Sequence, residues 1–411
     1  MTLSEELKWR GFINQTTIKD LSYLDDNKLT FYHGFDASAD SQQVGNLAAM
    51  MLDKAFMRHG HKAILLAGGA TSLIGDPGGK DKERQLQSED QIAKNVEAAE
   101  RQLKTVFNEQ KFTMVNNIDW FKDMNVMEFL RDVGKHFSMT PLVQRDYISQ
   151  RMGEGGVGIS YTEFSYTLLQ GYDFLHLYKE HGCTLQISGA DQWGNCLSGI
   201  DLIRRVEGEE VHAMTMPLII NKATGNKFGK SEEGAVWLDP AKTSPYDFYQ
   251  FWLNVDDEGV EDYLKIFTEL DKEKIDTVMK EFKSDKSSRS AQKTLAEEVT
   301  RLVHGDDEVK KLTTKLIFNA NEYKKMSEKE INALSRSVEV FESNSNNVIE
   351  LLAGSGLTQS NSEARRLIES GGVTVNGLKA LLDKELTSND NVHGYVVLRK
   401  GKNKQVLVKR S

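Results

Sequence analysis

Apolar and polar positions along this chain of 411 residues change several times between a strand-like and a helix-like period. Strand-like apolar runs lie at 28–35, 63–67, 112–115, 184–188 and 214–220, and clear helix-period patterns lie at 44–58, 89–107 and 125–136. Strands that alternate with helices predict right-handed parallel units, which bind ligands at the carboxyl ends of their strands. The pattern therefore predicts an α/β doubly wound domain in residues 1–230.

The pattern changes after residue 240, where helix-period segments follow one another without a good strand. These predicted helices are 245–254, 259–267, 271–282, 289–303, 307–318 and 327–335. A stretch centred on ESNSNN then has the composition of a linker, and beyond it the order is helix, polar turn, helix and three strands. The sequence thus predicts an all-helical domain at 244–335, a linker at 336–346 and a small α+β domain at 347–411.

Composition narrows the class of protein. The chain is 39% hydrophobic and 27% charged, which is typical of a globular protein. No apolar run approaches the roughly 18 residues of a membrane helix, and the N-terminus resembles neither a secretory signal nor a transit peptide. Cys183 and Cys196 lack metal-site spacing and fit buried thiols in a reducing compartment. We therefore expect a cytoplasmic protein with no membrane partner.

The charge is unevenly distributed along the chain. The net charge is −9, but residues 347–411 contain ten Lys and Arg against six Asp and Glu, which leaves the preceding residues strongly acidic. A basic module on an acidic body indicates a polyanionic partner at one end and not a uniform nucleic-acid coat.

The segment from Tyr161 to Asn195 is the best candidate for a binding site. Tyr166, Gln170 and Asp173 are spaced by four and three residues, which places them on one helix face. The following strand ends in a glycine turn that carries Asp191 and Gln192. A polar row beside a strand-end carboxylate predicts a small-ligand pocket, although the row by itself fits a satisfied hydrogen-bond network equally well.

Two other segments suit phosphate groups. Residues 32–46 run from a strand end into a helix start, where backbone amides and the helix dipole favour anions. The loop 224–234 carries Lys227 and Lys230 three residues apart, and these lysines could neutralise a triphosphate. Taken alone, its KFGKS sequence fits a solvated loop as well.

Together these motifs resemble bacterial-type tyrosyl-tRNA synthetases, which are class I aminoacyl-tRNA synthetases, and the resemblance runs from about Leu21 to Lys409. It implies a Rossmann-like catalytic domain, a helical anticodon-recognition domain and a C-terminal RNA-binding domain. By resemblance, the tyrosine-binding residues are Tyr32, Asp76, Tyr166, Gln170, Asp173 and Gln192. The ATP-binding residues are Gly34, Asp36, Ser38, Gly45, Gly189, Asp191 and Lys230, and the catalytic residues are Lys227, Lys230, Ser231, Lys80, Arg84, Gln43 and Asn46.

One motif departs from the family pattern. The family has His-x-Gly-His where this chain has Gln43-Val44-Gly45-Asn46. An amide N–H can donate a hydrogen bond much as a neutral imidazole does, but it cannot carry positive charge. His33, near the implied ribose site, replaces a frequent cysteine of the family.

The C-terminal module resembles a small RNA-binding fold that the family shares with a ribosomal protein and pseudouridine synthases. Its expected RNA contacts are Arg365, Arg366, Lys400, Lys402 and Lys404, although basic composition alone also fits a solvated tail.

The resemblance implies that L-tyrosine is activated by ATP with Mg²⁺ and then transferred to tRNA(Tyr) by a homodimer. No protein-bound metal, no organic cofactor and no DNA partner are expected. Two alternatives remain. One is an RNA-binding or regulatory paralogue that has lost aminoacylation, in which Gln43 and Asn46 would reflect that loss. The other is an enzyme that adenylates tyrosine for an acceptor other than tRNA.

Overall fold

The computed structural model describes residues 1–75, 87–108, 110–153, 155–156, 158–222, 224–231, 234–310, 328, 331, 335, 339–401 and 404–410 of the chain. They form two compact units, Met1–His304 and Gly305–Ser411. Within the residues described, no helix is long and apolar enough to cross a membrane.

A six-stranded sheet forms the centre of the first unit. Its strands are β1 (Gln15–Thr16), β2 (Thr30–Phe35), β3 (Lys62–Ala67), β4 (Phe112–Asn116), β5 (Cys183–Gly189) and β6 (His212–Met216), in the spatial order β1-β6-β5-β2-β3-β4. All neighbours are parallel except β1 and β6. The five predicted strands are confirmed. Because β2 lies between β3 and β5, the strand order reverses there, and open α/β sheets bind ligands at such a switch point.

Helices cover both faces of this sheet. Phe31 packs on Phe56 and Tyr32 packs on Phe174, each pair with ring centroids 5.2 Å apart. Because neighbouring strand residues point to opposite faces, the helices carrying Phe56 and Phe174 lie on opposite sides. The helices around the sheet are α1 (Leu3–Arg10), α2 (Tyr23–Asp26), α3 (Val44–Arg58), α4 (Gly69–Ile74), α5 (Glu89–Phe107), α6 (Ile118–Phe121), α7 (Val126–Glu128), α8 (Met139–Val143), α9 (Asp146–Met152), α10 (Tyr161–His181) and α11 (Trp193–Val206). This architecture confirms the predicted α/β class.

Among the described residues of the first unit, four further α-helices follow the sheet: α12 (Pro245–Leu253), α13 (Val260–Phe267), α14 (Lys272–Ser284) and α15 (Ser290–His304). They confirm the predicted helical run as far as residue 304. They belong to the same compact unit as the sheet, however, which differs from the predicted boundary at 244.

Buried polar contacts explain why these helices stay with the sheet layer. Arg10 is 5% exposed and donates hydrogen bonds to the carbonyl oxygens of Thr268 (2.8 Å) and Leu270 (3.0 Å). It also bonds Glu6 at 2.7 Å. A buried guanidinium that lost these carbonyl acceptors would keep only Glu6, which lies on its own helix, so the contact opposes separation of the two layers.

In the described part of the second unit, two helices cover a five-stranded sheet. Its elements are β9 (Val340–Glu342), α16 (Val348–Gly354), α17 (Asn361–Glu369), β10 (Val373–Val375), β11 (Leu378–Lys379), β12 (Tyr395–Lys400) and β13 (Lys404–Lys409). The spatial order of the strands is β11-β10-β12-β13-β9, and the helices supply Leu351, Leu352 and Ala364 to the core. The predicted order of helix, turn, helix and strands is confirmed.

The strand β9 corrects the predicted linker at 336–346. It pairs in parallel with β13, with Val340 opposite Leu407 and Phe341 opposite Val408. Phe341 packs against the core of this unit. The Ser- and Asn-rich residues that follow β9 dominate the local composition. The composition therefore predicted a linker, although Val340 and Phe341 form part of a strand.

Candidate functional site

A cavity of about 260 Å³ lies at the carboxyl ends of β2 and β5, where the strand order of the sheet reverses. Strands β2 and β5 and helices α3 and α10 supply most of its wall. Nine of the predicted site residues line it: Tyr32, Gly34, Asp36, Asn46, Tyr166, Gln170, Asp173, Asp191 and Gln192. The fold therefore brings the predicted pocket residues together from segments that are distant in sequence.

Helix α10 presents three of these side chains. Its start is fixed by a capping box, in which Glu163 N donates to Ser160 Oγ and Ser160 N donates to Glu163 Oε2, both at 3.1 Å. From this start, the predicted spacing places Tyr166, Gln170 and Asp173 on the cavity side of the helix.

Two buried oxygen groups form a polar end of the cavity. Tyr32 is 1% exposed, and its hydroxyl has no hydrogen-bond partner within the described part of the chain. Burial raises the pKa of Asp173 to about 7, although hydrogen bonds from Asn117 and Trp120 lower it. An unpaired buried polar group costs about 1–3 kcal/mol. A ligand hydroxyl that bonds Tyr32 and Asp173 would therefore be favoured.

Asn117 and Trp120 were not predicted as site residues. Asn117 Nδ2 donates to Asp173 Oδ2 at 3.2 Å, and Trp120 Nε1 donates to Asp173 Oδ1 at 2.9 Å. Asn117 is fully buried and also accepts from the Ala70 amide at 2.7 Å. The sequence signal was weak, because it consists only of an Asn pair at the end of β4.

Two glutamines on the cavity wall also have buried oxygens for which the described residues provide no partner. These are Oε1 of Gln170 and Oε1 of Gln186. Gln186 is 2% exposed and lies opposite Tyr32 in the pairing of β5 with β2. It was missed, although an amide between the apolar strand residues Leu185 and Ile187 requires a partner and could have marked the site. Both oxygens can accept from a ligand ammonium or hydroxyl group.

Gln192 is held by a chain of polar side chains that sequence reasoning also missed. Asn195 Nδ2 donates to Gln192 Oε1 at 3.0 Å. Thr167 Oγ1 and Arg145 Nη1 donate to Asn195 Oδ1 at 2.8 and 3.2 Å. These bonds fix the amide plane of Gln192 at the cavity wall.

Asp36 and Asp191 place carboxylates on the same wall. The Tyr166 hydroxyl donates to Asp36 Oδ1 at 3.2 Å. Asp191 follows Gly189, the last residue of β5, and a Cβ at Gly189 would lie only 2.7 Å from Asp191 Oδ1. Glycine at 189 therefore allows the carboxylate to take this position.

The altered tetrapeptide forms the start of α3. The backbone N–H of Gln43 donates to Asn46 Oδ1 at 3.0 Å, so Asn46 caps the first turn. Asn46 also lines the cavity, whereas Gln43 is absent from its wall and Gly45 is exposed. The structure thus gives Asn46 a local structural role in addition to its position at the cavity.

The lysine loop is joined to this helix start through backbone hydrogen bonds. Val236 N donates to Gly229 O, and Val44 N donates to Val236 O, both at 3.0 Å. Gly229 has φ +97°, and a Cβ there would lie 3.2 Å from Gly45 N. A side chain at 229 would therefore push the two motifs apart.

The loop is anchored by Phe228, which is 5% exposed and packs on Tyr263 with ring centroids 4.4 Å apart. Lys227 beside it is exposed. Lys230 and Ser231 form strand β7 (Lys230–Ser231), which pairs with β8 (Gly234–Ala235). The anchor fixes the base of the loop while Lys227 remains at the surface.

The other predicted residues lie away from the cavity or outside the part of the chain that the structure describes. Ser38 is exposed and does not line the cavity, and its carbonyl oxygen accepts from Gln87 Nε2 at 2.9 Å. Asp76, Lys80, Arg84 and Lys402 lie outside the described residues. Among the described residues, no group of three or more His, Cys, Asp and Glu side chains could hold a metal ion.

The second unit presents most of the predicted RNA contacts at its surface. Arg365 and Arg366 are exposed on α17. Lys400 and Lys404 face each other across the β12–β13 pair. Lys404 is exposed, whereas Lys400 forms a 2.7 Å ion pair with Glu363 of α17. Arg365, Arg366 and Lys404 are therefore the more accessible basic groups.

Comparisons with known proteins place the chain in a family. Residues 24–319 match the family described as tRNA synthetases class I (W and Y), and residues 330–408 match the tyrosine–tRNA ligase SYY-like C-terminal domain. The chain is 41% identical to tyrosine–tRNA ligase 2 of Bacillus cereus over 423 residues, covering 100% of both chains. It is also 41% identical to the tyrosine–tRNA ligase of Listeria monocytogenes, covering 99% of both.

Solved structures extend the similarity to the fold. The C-terminally truncated mitochondrial tyrosyl-tRNA synthetase of Aspergillus nidulans aligns with TM-score 0.69 and 30% identity, over 77% of this chain and 93% of that one. A tryptophanyl-tRNA synthetase from Encephalitozoon cuniculi aligns with TM-score 0.55 at 12% identity, over 75% of this chain and 89% of that one, which shows the fold alone. Because the fold is common to both kinds of protein, amino-acid specificity must be argued from the cavity.

Proposed function

Because the chain belongs to the class I tRNA synthetases (W and Y), we propose that it activates L-tyrosine with ATP and transfers the tyrosyl group to tRNA(Tyr). The observation that carries the choice of tyrosine is the polar end of the cavity. There, the unpartnered Tyr32 hydroxyl and the Asp173 carboxylate can pair with a phenolic hydroxyl. Phenylalanine would leave the buried Tyr32 hydroxyl unpaired and would offer no hydrogen bond to the Asp173 carboxylate, which is costly.

The amino-acid half of the site also needs a group for the α-ammonium. Gln170 and Gln186 each present a buried oxygen without a partner on the cavity wall. We assign the ammonium to Gln170 and Tyr166, with Asp76 as the third contact implied by the family resemblance, and we add Gln186. Gln192, held in place by Asn195, serves the carboxylate.

Activation is a displacement that needs no general base. The tyrosine carboxylate attacks the α-phosphorus of ATP, and pyrophosphate leaves with the electron pair of the broken P–O bond. Catalysis then consists of positioning and of stabilising the charge that develops on the phosphate oxygens. Asn46 and Gln43 donate hydrogen bonds to ATP, while Lys227 and Lys230 neutralise pyrophosphate, and Lys80 and Arg84 assist them.

We assign the nucleoside to Asp191, with Asp36 and Ser38 helping to position ATP. The glycines Gly34, Gly45 and Gly189 allow its close approach. The Mg²⁺ enters with ATP as part of the substrate, which suits an ion that keeps several water ligands and binds phosphates. In the second step, a hydroxyl of the terminal ribose of tRNA attacks the tyrosyl carbonyl, and AMP leaves. These substrates are found where translation occurs, so we assign the protein to the cytoplasm.

The tRNA is held by more than one region. We propose that the helical segment 244–335 reads the anticodon and that Arg365, Arg366, Lys400, Lys402 and Lys404 contact the RNA backbone. The exposure of Arg365, Arg366 and Lys404 supports the second assignment, because accessible basic groups can neutralise phosphates. Because the excess of positive charge lies at the C-terminal end of an otherwise acidic chain, it attracts the RNA to the second unit.

We propose that the protein is a homodimer. Between residues 126 and 161, large apolar side chains are exposed to solvent at Val126, Met127, Leu130, Met139, Met152 and Tyr161. Concentrated apolar exposure of this kind marks a protein interface. Replacement of Met127 and Leu130 by glutamate should convert a dimer to a monomer in sedimentation equilibrium, whereas a wild-type monomer would refute the proposal.

One experiment tests the function and its alternatives. Tyrosine-dependent ATP–pyrophosphate exchange and tRNA charging are measured on the same preparation, with phenylalanine and tryptophan as competitors. The proposal expects both activities with tyrosine and nearly none with the other two amino acids. Exchange without charging would indicate an acceptor other than tRNA, and RNA binding without exchange would indicate an inactive paralogue. That paralogue is disfavoured, since it would have no use for the unpartnered polar groups of the cavity.

A further inference from the structure

The described wall of the cavity carries more acidic than basic groups. The acidic groups are Asp36, Asp53, Asp173 and Asp191, although burial raises the pKa of Asp53 and of Asp173, and His33 is the only basic side chain among the described residues that line it. A triphosphate brings several negative charges and would be repelled by such a wall without a nearby cation. The position of His33 in the cavity therefore bears directly on nucleotide binding.

His33 is held by a buried carboxylate. Its Nδ1 lies 2.8 Å from Oδ2 of Asp53, and the side chains are 16% and 1% exposed. Asp53 stands on α3 seven residues after Asn46, so the same face of that helix supplies both residues to the cavity wall. A carboxylate bound to one ring nitrogen fixes the orientation of the imidazole and leaves Nε2 for another partner.

The surroundings of the pair favour a protonated imidazole. In the sheet, the residues in register with His33 are Leu65 of β3 and Ile187 of β5, which are uncharged, and α5 contributes only Leu103 to this wall. Asp53 faces His33 from α3, and the other ionisable groups of the wall are the acids already named and two tyrosines, Tyr32 and Tyr166. Burial lowers the pKa of His33, but attraction to Asp53 and their hydrogen bond raise that pKa above its ordinary value.

The pair joins β2 to α3 but does not satisfy the buried carboxylate completely. Oδ1 of Asp53 is buried and has no hydrogen-bond partner among the described residues, so the carboxylate is only partly satisfied there. Incompletely paired buried charges usually cost stability, and they recur at sites where a ligand uses the charge.

We propose that His33, positioned by Asp53, donates a charge-assisted hydrogen bond from Nε2 to ATP and so supplies the cationic imidazole that Gln43 and Asn46 cannot. His33 is then a catalytic residue and Asp53 a positioning residue. Tyrosine activation should require the protonated form of His33. This inference rests on the proposed function, because it takes ATP to be the ligand of the cavity.

The test is the pH dependence of single-turnover tyrosyl-adenylate formation at saturating tyrosine and ATP. The wild-type rate should fall by about tenfold as pH rises through the pKa of His33, the loss expected for one charge-assisted hydrogen bond. His33→Gln should remove this step and show the lower rate throughout. Asp53→Asn should move the step to lower pH and restore the wild-type rate below it. Asp173 also titrates, but it is present in every variant, so differences between profiles isolate His33.

The matched control is His61→Gln. His61 is also buried and accepts from the Leu29 amide at 3.2 Å, but it does not line the cavity. Its substitution should change stability without changing the shape of the pH profile. If His33→Gln keeps the wild-type step, or loses the same factor at every pH, the inference is wrong even though the enzyme is active. Absence of tyrosine-dependent exchange at every pH would instead refute the proposed function.

Discussion

Asn46 gives the sharpest prediction, because its two roles can be separated by substitution. Its Oδ1 accepts from the backbone N–H of Gln43 at 3.0 Å and caps α3, while the proposed function assigns its amide N–H to ATP. Asn46→Ala removes both contacts. Asn46→Asp keeps an acceptor for the Gln43 amide but removes the donor and adds negative charge beside the triphosphate.

The Asp substitution should raise the stability of the protein and lower its rate of tyrosine activation. Loss of a capping acceptor costs about 1 kcal/mol of stability, whereas a carboxylate at a helix N-terminus adds about 0.3–1 kcal/mol. The free energy of unfolding should therefore rank Asp above Asn, and Asn above Ala. A hydrogen bond to a charged group contributes about 1.5–3 kcal/mol, which slows Asn46→Ala about ten- to a hundredfold. Asn46→Asp should be slower still, so the most stable variant should be the least active.

Stability would be measured by denaturant unfolding and activity by single-turnover adenylate formation. Asp271→Ala is the matched control, because Asp271 caps α14 by accepting from Lys274 N at 2.9 Å and does not line the cavity. It should lose about 1 kcal/mol of stability and no activity. Asn46→His should stay within about tenfold of wild type, because one donor replaces another. An Asn46→Asp variant that activates tyrosine at the wild-type rate would refute the assignment of Asn46 to ATP.

Three further predictions concern other parts of the molecule. Asp173→Asn should lower the preference for tyrosine over phenylalanine in kcat/KM by about tenfold or more, and an unchanged ratio in competitive exchange would contradict the phenol assignment. Burial raises the pKa of Glu6, but Arg58, His59 and Arg10 lower it more, to about 2, so Glu6 stabilises the fold above its ordinary pKa of 4.5. Glu6→Gln should therefore cost about 2–3 kcal/mol of unfolding free energy near neutral pH. This difference should shrink as pH falls from 4.5 towards 2, and a constant difference across that range would show that the ionised form is not what matters. Replacing Arg365 and Arg366 together by alanine should weaken tRNA binding and reduce its salt slope by about 2; unchanged filter-binding curves at several salt concentrations would remove them from the RNA surface.

The sequence determined those features that depend on local periodicity. The alternation of apolar runs and helix-period segments was sufficient for the α/β class, for the five predicted strands of the first sheet and for the helices as far as residue 304. The spacing of Tyr166, Gln170 and Asp173 was enough to place them on one face of α10. These predictions succeed because a helix or strand repeats its geometry over a few residues, so the pattern carries the information.

Tertiary structure decided which distant residues meet. Gln186 became a cavity residue because β5 pairs with β2 beside Tyr32, and Asn117 and Trp120 became site residues because the chain folds them onto Asp173. The pairing of His33 with Asp53 likewise joins a strand to the helix that follows it. Strand β9 formed within a stretch of linker composition because β13 offered an open edge. Such contacts depend on hydrogen-bond partners far along the chain, and neither composition nor periodicity records which partners will be adjacent.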